Sequence, residues 1–394
     1  MPKSALLLRS VVLAALLGSV AAPPVLARDS GAYLAGRIAA NANDYDAAAQ
    51  YYERLMGQGD TDPIFVESAL IAEIGRNQMD AALPIAAQLG VASETSQVGA
   101  LLLLADAVRA GDFDKASKVL AERGDQWPMG PELFSAWISA GRGQMSEAMK
   151  AFDAAAALPG LKGFALYHKG AALAMVGDFE GADEIFASDV GPMIEASRRG
   201  ALARAQVLSQ LERNPDAIAV LDRAFGPQGG DAEIMAMRAA LEAGEVLPFT
   251  MVTSATDGVA EVYFTLGSAL AGEMPGGFPL MFTRIATWLR ADHTDATLVS
   301  ASLLESMGQY DLAIATFAEI KPDSLAHPAA EIGRAEALMS ADKADAAIEA
   351  LESLSRTNGD AAGVWVALGD TLRREERYGD AVKAYDKAVE ILGD

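Results

Sequence analysis

From Arg28 onward, apolar residues recur at intervals of three, four and seven, in stretches separated by short polar turns such as Asn43-Asp44-Tyr45-Asp46. That period places them on one face of an α-helix; a half-buried strand would alternate instead. The alanine that follows each turn marks a register: Ala48, Ala82, Ala116, Ala148, Ala182 and Ala217, then Ala313, Ala347 and Ala381. Their spacings are 34, 34, 32, 34 and 35, and after an interruption 34 and 34. A fixed period of this length marks stacked supersecondary units.

Four residues past these alanines stand mostly bulky groups (Tyr52, Leu120, Phe152, Phe186, Leu221, Phe317, Leu351, Tyr385), one turn along the same helical face. Twelve residues before them lies a small residue in most units, among them Gly36, Ala136, Gly170, Ala205, Ala335 and Gly369, as close antiparallel helices require. Each unit is therefore a helical hairpin that buries its apolar face only by stacking on its neighbours. The last unit, with Trp365, Leu368, Gly369, Leu372, Ala381, Tyr385 and Ala388, resembles the tetratricopeptide repeat. The resemblance implies an all-α solenoid, a right-handed superhelix of about ten hairpins. It divides into an N-terminal arm, 28–225, and a C-terminal arm, 257–394, whose first unit is degenerate. Between them, 226–256 reads as an irregular connector with one helix capped by Asp231. It is either a hinge or a tolerated insertion.

Residues 1–27 change the compartment expected. Lys3 and Arg9 precede an apolar run from Val11 to Ala22, and Val25-Leu26-Ala27 offers small residues for cleavage after Ala27. Twelve apolar residues span about 18 Å as a helix, short of a hydrocarbon core of about 30 Å. The pattern predicts a secretory signal peptide and a periplasmic product with no integral membrane span. The net charge of −23 becomes −25 on losing Lys3 and Arg9. Such a field repels phosphate backbones, which excludes nucleic acid as a partner. With no cysteine, disulfides, thiolate metal sites and a cysteine nucleophile are excluded.

Candidate chemistry is sparse. The chain has three histidines, His168, His293 and His327, and no nucleophile-elbow, P-loop or zincin string, so no catalytic residue, metal or cofactor is expected. Arg198, Arg199 and Arg204 form a compact basic patch that either pairs with neighbouring acids or receives an acidic partner. By its resemblance, the first helix of each repeat would line a concave groove. The partner-binding candidates there are Tyr33, Arg37, Trp137, Tyr167, His168, Arg199 and Phe264. No lysine at position 5 or asparagine at position 9 supports a carboxylate clamp, so an extended or helical peptide is expected, with a glycan as the alternative. Residues 257–320 are also similar to exported tetratricopeptide-repeat proteins of Gram-negative bacteria. This implies a non-enzymatic, periplasmic scaffold or adaptor holding a protein of the cell envelope; the alternative is a glycan-binding or polysaccharide-export accessory. Asp394 follows a second helix without a polar cap, so the array is expected to be shortened or to dock by its end.

Overall fold

The computed structural model describes residues 30–393 except 60–61, 91–95, 128 and 228; the expected signal peptide lies outside the described residues. Among these, the structure is helical with no strand. The first hairpins are α1 (Ser30–Asn41) with α2 (Tyr45–Gly57), α3 (Pro63–Gly75) with α4 (Met79–Leu89), and α5 (Gln97–Arg109) with α6 (Phe113–Arg123). Next come α7 (Pro131–Gly141) with α8 (Met145–Ala156) and α9 (Lys162–Met175) with α10 (Phe179–Phe186). A short extra helix, α11 (Gly191–Glu195), precedes α12 (Arg198–Gln210), α13 (Asn214–Phe225) and the single α14 (Ala232–Glu242). The chain continues with α15 (Ala255–Leu270), α16 (Gly277–Leu289), α17 (Thr294–Ser306), α18 (Tyr310–Phe317), α19 (His327–Ser340), α20 (Ala344–Thr357), α21 (Ala362–Arg374) and α22 (Tyr378–Leu392). Second helices pack on the first helices that follow, as α2 on α3, α16 on α17 and α20 on α21, which makes the fold an all-α repeat solenoid.

The alanine register has a structural counterpart at each turn. All nine register alanines are buried. Five residues before each of them the backbone enters the left-handed region, at Asn43, Asn77, Gly111, Gly143, Gly177, Glu212, Gly308, Asp342 and Glu376. The next amide closes a Schellman bond to the helix just ended, from Asp44 N to Ala39 O at 2.9 Å through Arg377 N to Leu372 O at 2.9 Å. Glu212 and Glu376 are exposed and carry a Cβ where the left-handed conformation costs roughly 1–2 kcal/mol. Glu212→Gly and Glu376→Gly are each expected to stabilise the array by about 0.5–1 kcal/mol, read as a raised denaturant midpoint at constant m-value. A lowered midpoint would show that these side chains stabilise the turn by other means.

The connector is fastened along α12. The Gln206 side chain brackets Thr250, donating to its Oγ1 and accepting from its amide, both at 2.9 Å, and Leu247 N donates to Ser209 Oγ at 2.9 Å. Asp231 caps α14 through the amides of Glu233 and Ile234, as its position predicts. Beyond this strap the chain does not simply resume stacking. Helix α15 lies against α5, α7 and α9, and α16 against α3 and α5, all first helices of the N-terminal arm. The hairpin that heads the second arm is thus also seated inside the first.

Candidate functional site

The surface expected to form an open groove is the bed of α15. Gly258 on α15 rests on the indole of Trp137, where an added Cβ would stand 2.2 Å from ring carbons. Trp137 is fully buried, edge-on to Phe152 at 5.6 Å, and donates from Nε1 to His168 Nδ1 at 3.1 Å. Because an indole N–H only donates, Nδ1 must accept and the His168 proton sits on Nε2, which finds no acceptor among the described residues. Burial pushes the His168 pKa down to about 4. Tyr263 on the same hairpin donates to Leu101 O at 2.7 Å and meets Phe134 edge-on at 4.9 Å. Leu101 and Leu133, position-5 residues of the expected groove, have no exposed surface.

At the other side of α15 the fully buried carboxylate of Glu261 collects four donors. Tyr167 Oη reaches Oε1 at 2.7 Å, Arg199 Nε reaches Oε1 at 2.8 Å, Arg199 Nη2 reaches Oε2, and His293 Nε2 reaches Oε2 at 3.2 Å. His293 Nδ1 accepts from Ala296 N, so its Nε2 carries the proton and the ring is neutral when both bonds hold. Burial would raise the Glu261 pKa, but the Arg199 guanidinium and the His293 hydrogen bond outweigh it and hold the acid well below its usual range. Burial lowers the His293 pKa, and the Arg199 charge lowers it further. Arg198 and Arg199 also share Asp295, both at 3.1 Å, Arg198 adds Asp231 and Glu233, and Arg204 pairs with Glu195. The basic patch read from the sequence is an internal clamp between α12, α14, α15 and α17, and its charges are spent within the chain.

Beside this clamp opens an apolar pocket of about 420 Å³ between α9, α11, α12 and α15. Phe164, Tyr167, Ile194 and Phe264 line it with Thr265, Ser268 and Ala269, while Arg199 and Ser197 border it. Met193, on α11, is 63% exposed at its rim. The Ser268 hydroxyl is buried without a hydrogen-bond partner among the described residues.

A family profile described as tetratricopeptide repeat matches residues 332–394, which hold α20, α21, α22 and most of α19. Residues 332–394 carry the tetratricopeptide repeat. Many solved structures match, among them MamA AMB-1 in C2221 at 15% identity, covering 48% of this chain and 96% of that one, with a TM-score of 0.28. The P58(IPK) TPR domain matches at 15% identity over 92% of each chain, with a TM-score of 0.23. At such scores the architecture rests on this chain's own helix contacts. No curated protein matches.

In the tetratricopeptide register, the seven candidate residues fall into three places. Tyr33 and Arg37 lie on α1, far along the chain from the pocket: Arg37 donates to Tyr33 Oη at 3.0 Å, and Tyr33 meets Phe65 at 4.9 Å. Trp137 and His168 are sealed under α15, a correction to the expectation that they face a partner, because α15 already fills that face. Tyr167, Arg199 and Phe264 come together at the pocket, although the Arg199 guanidinium is engaged by Glu261 and Asp295 and is not free for a partner's carboxylate. Sequence reasoning missed Phe164, Glu261 and Ser268. Phe164 and Glu261 stand three residues before Tyr167 and Phe264, and Ser268 four after Phe264, on the same helical faces, so following those faces of the first helices would have found them. Met193 and Ile194 carried no such signal, since α11 lies outside the repeat pattern.

Proposed function

We propose that the protein is a non-catalytic scaffold of the cell envelope, exported under the direction of residues 1–27, that holds a partner protein by an apolar anchor inserted between α9, α11, α12 and α15. The pocket carries this reading. It has aromatic and aliphatic walls, one unpartnered hydroxyl and a flexible, exposed methionine at its mouth, the composition that accepts a peptide side chain. The titratable groups beneath it support a structural role: the Glu261 oxygens are taken up by Tyr167, Arg199 and His293, so none stands as a free base. A glycan, the alternative occupant, would find chiefly Ser197, Thr265 and Ser268 as polar partners, a thin set for a sugar.

The test places a photo-crosslinker at Met193 in the native envelope, with exposed Lys150 on α8 as control, and repeats it in a Thr265→Trp chain whose pocket is filled. A discrete protein adduct at Met193, absent at Lys150 and lost with Thr265→Trp at unchanged helix content, is the expected outcome. An adduct that survives Thr265→Trp, or none at Met193, would contradict the pocket. Recovery of the processed chain outside the periplasmic fraction would contradict the export.

A further inference from the structure

Both ends of the array expose apolar side chains, and at Val382, Leu34 and Ile38 these stand at positions that other repeats bury. On α22, Tyr378, Val382, Val389 and Leu392 are each more than half exposed and follow one helical stripe. Val382 stands directly after its register alanine. Its counterpart one repeat earlier, Ile348 on α20, is 5% exposed, covered in the cluster that includes Leu368 and Leu372 of the following repeat. On α1, Leu34 and Ile38 are also more than half exposed, at positions 6 and 10 of the repeat. The same positions elsewhere, Leu102 and Phe134, or Ile138 and Val207, are buried. One end therefore shows the second-helix half of a repeat joint and the other end the first-helix half.

We propose that copies of this chain associate head to tail, the outer face of α1 of one copy seating on the outer face of α22 of the next. The joint so formed has the helix order of the internal joints α18 on α19 and α20 on α21. Charge complements it. Helix α1 holds Arg37 and no acidic residue, whereas the α22 stripe carries exposed Asp386, with Glu390 at its edge paired to Lys387. In a chain of net charge −23, α1 is thus a surface that an acidic neighbour can approach. Because the two faces differ, the contact is heterologous, and it yields a ring or an open series of copies rather than a closed dimer.

Sedimentation velocity on the chain from Arg28 on, which contains every described residue, tests this, with two blocked variants: Leu34→Asp/Ile38→Asp at α1 and Val382→Asp/Val389→Asp at α22. The unmodified chain is expected to form species beyond the dimer up to about 100 µM, where a contact of Kd ~10 µM is largely filled. Each blocked variant alone is expected to stay monomeric with unchanged helix content. Mixed, the two retain one good α1 and one good α22 between them and are expected to form a 1:1 dimer and nothing larger. A monomeric unmodified chain would overturn the proposal. So would dimers of the α1-blocked variant by itself, which would mean that α22 pairs with α22. The pocket is untouched by these substitutions, so the Met193 crosslink stands or falls separately.

Discussion

Replacing Gly258 with leucine is expected to cost the protein about 3–5 kcal/mol, a loss reserved for severe overpacking at a site that cannot give. An atom at the Cβ position meets Trp137 ring carbons at 2.2 Å, and the indole has nowhere to go. It is fully buried, pinned by its bond to His168 and walled by Phe152. Either α15 lifts from its bed or the tryptophan leaves its rotamer. Urea unfolding followed by tryptophan emission would show a lowered midpoint and a red-shifted native spectrum if α15 lifts. Adding Trp137→Leu makes room, so the double variant should recover part of the loss, a coupling that two unrelated defects would not show. Unchanged stability for Gly258→Leu would mean that α15 does not rest on α7.

Glu261→Gln is the second large effect, expected at about 3–5 kcal/mol, because it leaves the Arg199 guanidinium buried with Asp295 as its remaining acid. Removing both charges with Glu261→Met/Arg199→Met should restore much of that loss, since a buried pair is worth little against well-packed apolar groups. The same cluster sets an acid dependence. His168 and His293 have folded pKa values lowered from 6.5, that of His168 to about 4. The unfolded chain then binds protons that the folded one refuses, so stability is full above pH 6.5 and falls as the pH drops from there. Glu261 and Asp295, lowered from 4.5 and 3.8, add a further loss below those values. His168, held near 4, alone brings the slope toward about 1.4 kcal/mol per pH unit below 6.5, and His293 adds to it in the same direction. Flat stability between pH 6.5 and about 4 would show that the imidazoles are charged or exposed.

The repeat fold was legible because its determinants are local and periodic. A left-handed residue five positions before each alanine, and a bulky residue four after it, recur within single units, so the hairpins and their stacking follow from spacing alone. The seating of α15 and α16 was not legible. It joins residues such as Trp137 and Gly258, or Leu101 and Tyr263, from repeats far apart in the register, and a period of 34 relates each unit only to its neighbours. Gly258 reads in the sequence as a small residue near a break, with nothing to say that an indole needs its missing side chain. The site was half legible for the same reason. Groove geometry named Tyr167, Arg199 and Phe264, which do meet, but whether Arg199 pairs within the chain or receives a partner stayed open, because the acids that engage it, Glu261 and Asp295, arrive from beyond the connector.

The groove is already filled by the chain's own α15–α16 hairpin, and single-cysteine labelling tests that most directly, since the chain has no cysteine of its own. Leu101→Cys places a thiol on the floor of the groove, where Tyr263 bonds to the Leu101 carbonyl, and Met193→Cys places one at the exposed rim of the pocket. With native helix content, Met193→Cys should label at once and Leu101→Cys only at the rate of opening or unfolding. Equal, immediate labelling at both positions would mean that the groove stands open and that the hairpin lies elsewhere.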